Sequence, residues 1–60
     1  MKTVAFFPAS TGRRAVSIIR HDTYPPTMRY EVVFQLSTRA ISWQFAATRQ
    51  EADAIASENR

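Results

Sequence analysis

His21-Asp22 is the one place in this chain where an imidazole and a carboxylate stand side by side. General acid-base chemistry needs such groups to face each other, whereas neighbours on an extended strand point to opposite faces. No motif sets a serine beside them, and the chain has no cysteine to act as a nucleophile. His21 is therefore read as an ordinary surface or strand-end histidine. Metal binding fares no better, because one histidine, no cysteine and five scattered acids make no ligand set. Gly12 is the sole glycine, so no phosphate-cradling loop can be built. These absences argue against an enzyme, and no cofactor or metal is expected.

The chemistry that remains is distributed. Seven arginines and one lysine face five acids, for a formal charge of +3. Met1 to Arg49 holds seven basic residues and two acids (+5), while Gln50 to Arg60 holds three acids and one base (−2). Arginine forms bidentate pairs with phosphate and stacks on planar rings, so its dominance over lysine suits a recognition surface. Arg29, Gln35 and Gln44, with Ser42, are spaced to reach base edges from a sheet face, and Arg20 lies on a neighbouring strand. Arg13, Arg14 and Arg39 fall on turns, where they would neutralise phosphates. A two- or three-stranded ribbon fits the major groove, in which arginine reads guanine and glutamine reads adenine.

Strands must position these side chains. Thr3 to Phe7 is a short apolar run ended by Pro8, which suits a strand end. A turn through Gly12 leads to Ala15–His21, rich in β-branched residues. Two prolines, Pro25 and Pro26, then force a rigid connection. Over Arg29–Ser37, Tyr30, Val32, Phe34 and Leu36 alternate with mostly polar residues, and Ile41, Trp43 and Phe45 continue the pattern in a fourth strand. Thr48-Arg49-Gln50-Glu51 reads as a capping box in which Thr48 accepts from the Glu51 amide and the Glu51 carboxylate returns to Thr48. A helix of roughly eleven residues follows, too short to persist undocked, with Ala52, Ile55 and Ala56 as its apolar stripe.

The expected fold is α+β: a three- to four-stranded antiparallel meander with one C-terminal helix packed on one face, in the order β-β-β-β-α. Val4 or Phe6, Val16, Ile18, Tyr30 and Val32 would meet the helix, as would Phe34, Leu36, Trp43 and Phe45. The other face would stay bare, with Ser17, Ile19, His21, Glu31 and Val33 beside the polar readers. A basic sheet would thus be backed by an acidic helix. Sixty residues suffice for a single domain, which buries roughly 60% of the surface its unfolded chain exposes and has no room for a large enclosed site.

No signal peptide and no membrane-spanning run is visible, and the lack of cysteine suits the cytoplasm, or the host cytoplasm for a phage product. The chain reads as a complete small gene product. The stretch Phe45-x-x-Thr48-x-x-Glu51-Ala52, after two strands and ahead of Ile55-Ala56, resembles the end of arm-type DNA-binding modules of phage integrases. That resemblance implies an antiparallel three-stranded sheet read into the major groove and backed by a C-terminal helix, with the outward residues of strands two to four as readers. An extra strand and the Pro-Pro connection depart from the family plan.

Two functions follow as expectations. The first is a non-catalytic module binding DNA or RNA through its basic sheet face and turns. The alternative is a small phage-type inhibitor, an anti-CRISPR or other anti-defence protein, that docks on a host nucleoprotein complex. Strand one or strand four, at the sheet edge, would offer a site for homodimer pairing.

Overall fold

The computed structural model describes residues 1–36 and 38–60; Ser37, expected to end the third strand, lies outside the described residues. The strands are β1 (Lys2–Phe7), β2 (Val16–Arg20), β3 (Tyr30–Leu36) and β4 (Arg39–Ala46), followed by helix α1 (Arg49–Asn59). They pair antiparallel in sequence order, forming one open four-stranded sheet. This is the α+β meander with a C-terminal helix that the alternation predicts.

Each connection is set by its own residues. Between β1 and β2, Ser10 and Arg13 exchange backbone hydrogen bonds of 3.1 and 2.8 Å around Thr11-Gly12. Gly12 adopts φ +74°, a region an L side chain seldom enters. Between β2 and β3, Pro25 and Pro26 lead into a short 3-10 turn over Pro26–Met28. The His21 amide donates to the Arg29 carbonyl at 2.7 Å and closes that connection. At the start of α1, Thr48 is extended (φ −126°, ψ 156°) and its hydroxyl accepts from the Glu51 amide at 3.1 Å. Only this half of the expected capping box forms, since the Glu51 carboxylate makes no hydrogen bond among the described residues.

The core lies between the sheet and α1. Val16, Ile18, Val32 and Phe34 are almost wholly buried, and Ala46, Ala52 and Ala56 close over them. Alanine at the two helix positions one turn apart lets the helix backbone approach the sheet closely. Each of the four large side chains contributes about 1.5–3 kcal/mol on burial, so the fold rests on very few residues.

Two bulges correct the expected faces. Pairing steps from Thr3↔Ile19 to Ala5↔Ile18, which leaves Val4 unmatched, and from Val32↔Gln44 to Val33↔Ser42, which leaves Trp43 unmatched. An unmatched residue shifts every later side chain to the opposite face. Phe7 therefore packs on the core beside Val4, and Phe6 turns to the open face at 61% exposure. Gln44, expected on the open face, lies on the helix side opposite Val32; Phe45, expected in the core, lies on the open face opposite Glu31. Trp43 and Leu36, also expected in the core, are exposed instead.

Candidate functional site

The open face is not the polar, basic surface that the alternation suggests. Its strand positions are Thr3, Phe6, Ser17, Ile19, Glu31, Val33, Gln35, Ala40, Ser42 and Phe45, none of them basic. One end is also covered. His21, expected as a surface or strand-end histidine, directly follows β2 but is buried, at 6% exposure. Its Nε2 lies 2.8 Å from Glu31 Oε1, and the Tyr24 ring stacks on it at 4.0 Å and 7°. Phe45 tilts against both rings, at 6.5 and 5.9 Å. Tyr24 thus folds the proline-rich connection down as a lid on a second, small apolar cluster. The imidazole-carboxylate pair is packed against the Tyr24 and Phe45 rings, no hydroxyl or thiol bonds to it among the described residues, and it anchors that connection.

Three of the seven arginines gather on the other side of the molecule. Helical spacing places Arg49, Asp53, Ala56, Ser57 and Arg60 along one flank of α1, the flank facing the β1–β2 turn. Phe7 and Arg13 close the space from the sheet side, giving an open groove of about 430 Å³. Arg49 is tethered at its rim, with Nε donating to Asp53 Oδ1 at 3.1 Å and Nη1 to the Val4 carbonyl at 3.4 Å. Arg60 lies over the Phe7 ring at 5.7 Å and donates to the carbonyls of Pro8 at 2.7 Å and Arg14 at 3.1 Å. The Arg13 side chain makes no hydrogen bond or ion pair among the described residues and is exposed.

Three arginines and one aspartate therefore line the groove. The Arg49–Asp53 pair joins side chains 45% and 48% exposed, and such i,i+4 pairs are worth only about 0.3–0.5 kcal/mol. Water screens it, and the groove keeps a net positive field. Glu51 and Glu58 lie on the far flank of α1, away from the arginines by helical spacing. Guanidiniums beside a hydroxyl, here Ser57, make a receptor for tetrahedral or planar oxyanions.

The residues singled out from sequence divide accordingly. Arg13 joins the groove. Arg14, expected to rim the open face, turns under the helix: its Nη2 donates to the Asn59 carbonyl at 3.1 Å and its guanidinium covers the Phe34 ring at 5.1 Å. It is a helix C-terminal cap. Arg20 sits on the helix side of β2 with Nε 3.3 Å from Asp22 Oδ1. Arg29 is half-buried and follows the 3-10 turn. Gln35 lies on the open face of β3 opposite Ala40. Arg39 is exposed at the start of β4, and Gln44 is exposed on the helix side. No single surface unites these seven. Sequence reasoning missed Phe7, Arg49, Asp53, Ser57 and Arg60. The Arg49, Asp53, Arg60 spacing on one helical flank was the signal that could have found them.

Among the described residues no group of three histidine, cysteine or acidic side chains could hold a metal ion, and no helix is long and apolar enough to cross a membrane. Comparison with family models, curated proteins and solved structures finds no match to this chain.

Proposed function

We propose that this chain is a small, non-catalytic nucleic-acid-binding module that grips the phosphate backbone in the groove lined by Arg13, Arg49 and Arg60. The observation that carries this reading is one open groove lined by Arg13, Arg49, Arg60 and Ser57, with Asp53 as the single acid among the described residues of its lining. The groove opens to solvent, and the excess of arginine in its lining has the same sign as the net charge of the whole chain. The contact side proposed here is the helix flank and not the open sheet face. The cysteine-free composition fits action in the cytoplasm.

The test is affinity for labelled nucleic acid as a function of salt. Binding should weaken linearly in log–log form, and Arg13→Gln should reduce the slope by about 0.7–0.9, one phosphate contact's worth. Salt-independent binding, or none at all, would remove the reading.

Phe6 favours a second reading. An aromatic ring 61% exposed on an otherwise small-residue, uncharged stretch of the open face suits a protein partner. On that reading the chain docks on a host nucleoprotein complex as an anti-defence inhibitor. Stable capture of such a complex, lost in Phe6→Ser and accompanied by no affinity for free nucleic acid, would select it.

A further inference from the structure

Trp43 is the chain's only tryptophan and the unmatched residue of the β4 bulge. A bulge on an edge strand re-aims one side chain independently of the pleat. Here it holds the indole against Phe34 in an edge-to-face contact, 5.5 Å between centroids at 87°, and leaves it 48% exposed. Phe34 is itself almost fully buried, so it is a rigid support for the indole. The largest aromatic side chain of a small protein is thus fixed in place yet kept half in water. The indole is not part of the buried core, which is closed by smaller side chains, Ala46, Ala52 and Ala56.

The indole shares its aromatic support with a guanidinium. Phe34 touches Trp43 and is covered by the guanidinium of Arg14; the Arg14 carbonyl in turn accepts from Arg60, which lines the groove. Successive contacts therefore lead from the indole around the end of α1 to the phosphate-binding groove. Arg39, four residues earlier on β4, has an exposed side chain with no hydrogen bond or ion pair among the described residues. Leu36 and Ile41 supply an apolar margin on the same side of the sheet.

We propose that Trp43 is a stacking platform for an unpaired nucleobase, so that the nucleic acid bound by this chain is single-stranded. The proposal rests on the groove reading of the preceding subsection and names its substrate class. In a duplex, base faces are covered by their neighbours, and only an unstacked base can lie flat on an indole. Stacking tolerates any base, so the mode is independent of sequence, with the arginines following the backbone.

The probes are a fluorescein-labelled oligothymidylate, the corresponding oligouridylate and a mixed-sequence duplex of equal length, with affinity read by anisotropy and intrinsic tryptophan fluorescence read on unlabelled strands. The expected result is quenching of Trp43 by the single strands and weaker binding of the duplex. Trp43→Ala should lower single-strand affinity roughly 5- to 150-fold, the range spanned by one base on an aromatic ring, without changing the salt slope. Trp43→Phe, which keeps a ring on the Phe34 support, should retain most of the affinity and guards against misfolding of the alanine variant. Arg13→Gln should do the reverse and lower the slope by about 0.7 on a single strand.

Binding of single strands with unquenched fluorescence and an unaffected Trp43→Ala variant would overturn the stacking proposal and leave the groove reading standing. Preference for the duplex would do the same. Failure of every probe to bind would overturn both. A tryptophan signal that changes with protein concentration alone would assign the indole to an interface with a second copy, and the stacking proposal would fall.

Discussion

Replacing Arg14 with alanine isolates the structural half of the arginine set. In the folded chain its guanidinium donates to the Asn59 carbonyl at 3.1 Å, one of the carbonyls left without a partner at the end of α1, and covers the Phe34 ring at 5.1 Å. A hydrogen bond from a charged donor contributes about 1.5–3 kcal/mol, the favourable placement of a cation at a helix C-terminus about 0.3–1, and a cation over a ring about 0.5–1 where it is accessible to water. These contributions overlap on one half-buried side chain and do not add in full, so a loss of about 2 kcal/mol is expected. A domain of this size has net stability of roughly 3–5 kcal/mol, and 1 kcal/mol moves the melting temperature by about 4–8 °C. Arg14→Ala should therefore lower Tm by on the order of 10 °C in a circular-dichroism melt, with the helical signal lost first. Arg14→Lys should recover part of the loss, since an ammonium can still serve the carbonyl but cannot lie flat on the ring. An alanine variant melting within about 2 °C of the parent would refute the assignment of Arg14 as a cap and return it to the pool of free surface arginines.

Other perturbations probe separate links. Glu31→Ala removes the partner of the buried His21 and should cost about 1–3 kcal/mol in urea unfolding, with Tyr24 becoming more accessible to quenchers as the proline-rich connection lifts. Gly12→Ala meets open space around the new Cβ, so its cost should be the backbone strain of φ +74° alone, about 1–2 kcal/mol by the same measurement. Thr48→Ala removes the side-chain acceptor at the helix start and should destabilise by about 1 kcal/mol.

The fold was legible where a period ran without interruption. Tyr30 to Leu36 alternates cleanly and forms β3, and the change of period at Thr48 marks the start of α1 to the residue. The faces of β1 and β4 were not legible, because Ile41, Trp43 and Phe45 alternate perfectly in sequence. The bulge that breaks their phase is set by how β4 docks beside β3. Arg13 and Arg14 show the same limit at the level of the site. They are adjacent and chemically identical, yet one faces the groove and the other is drawn under the helix by Asn59 and Phe34. Counting charge per segment concealed the third difference. The stretch after Gln50 is net acidic, but its two outer glutamates and its terminal arginine lie on different flanks of α1, and only helical spacing separates them.

The groove and the open sheet face make opposing demands on one experiment, a titration of the isotopically labelled protein with a short oligonucleotide followed by amide resonances. Binding through the groove predicts that the largest shifts fall on Arg13, Asp53, Ser57 and Arg60, with Ser17, Val33 and Ser42 on the open face nearly still. Shifts concentrated on Ser17, Val33 and Ser42, with the helix flank unmoved, would contradict the account.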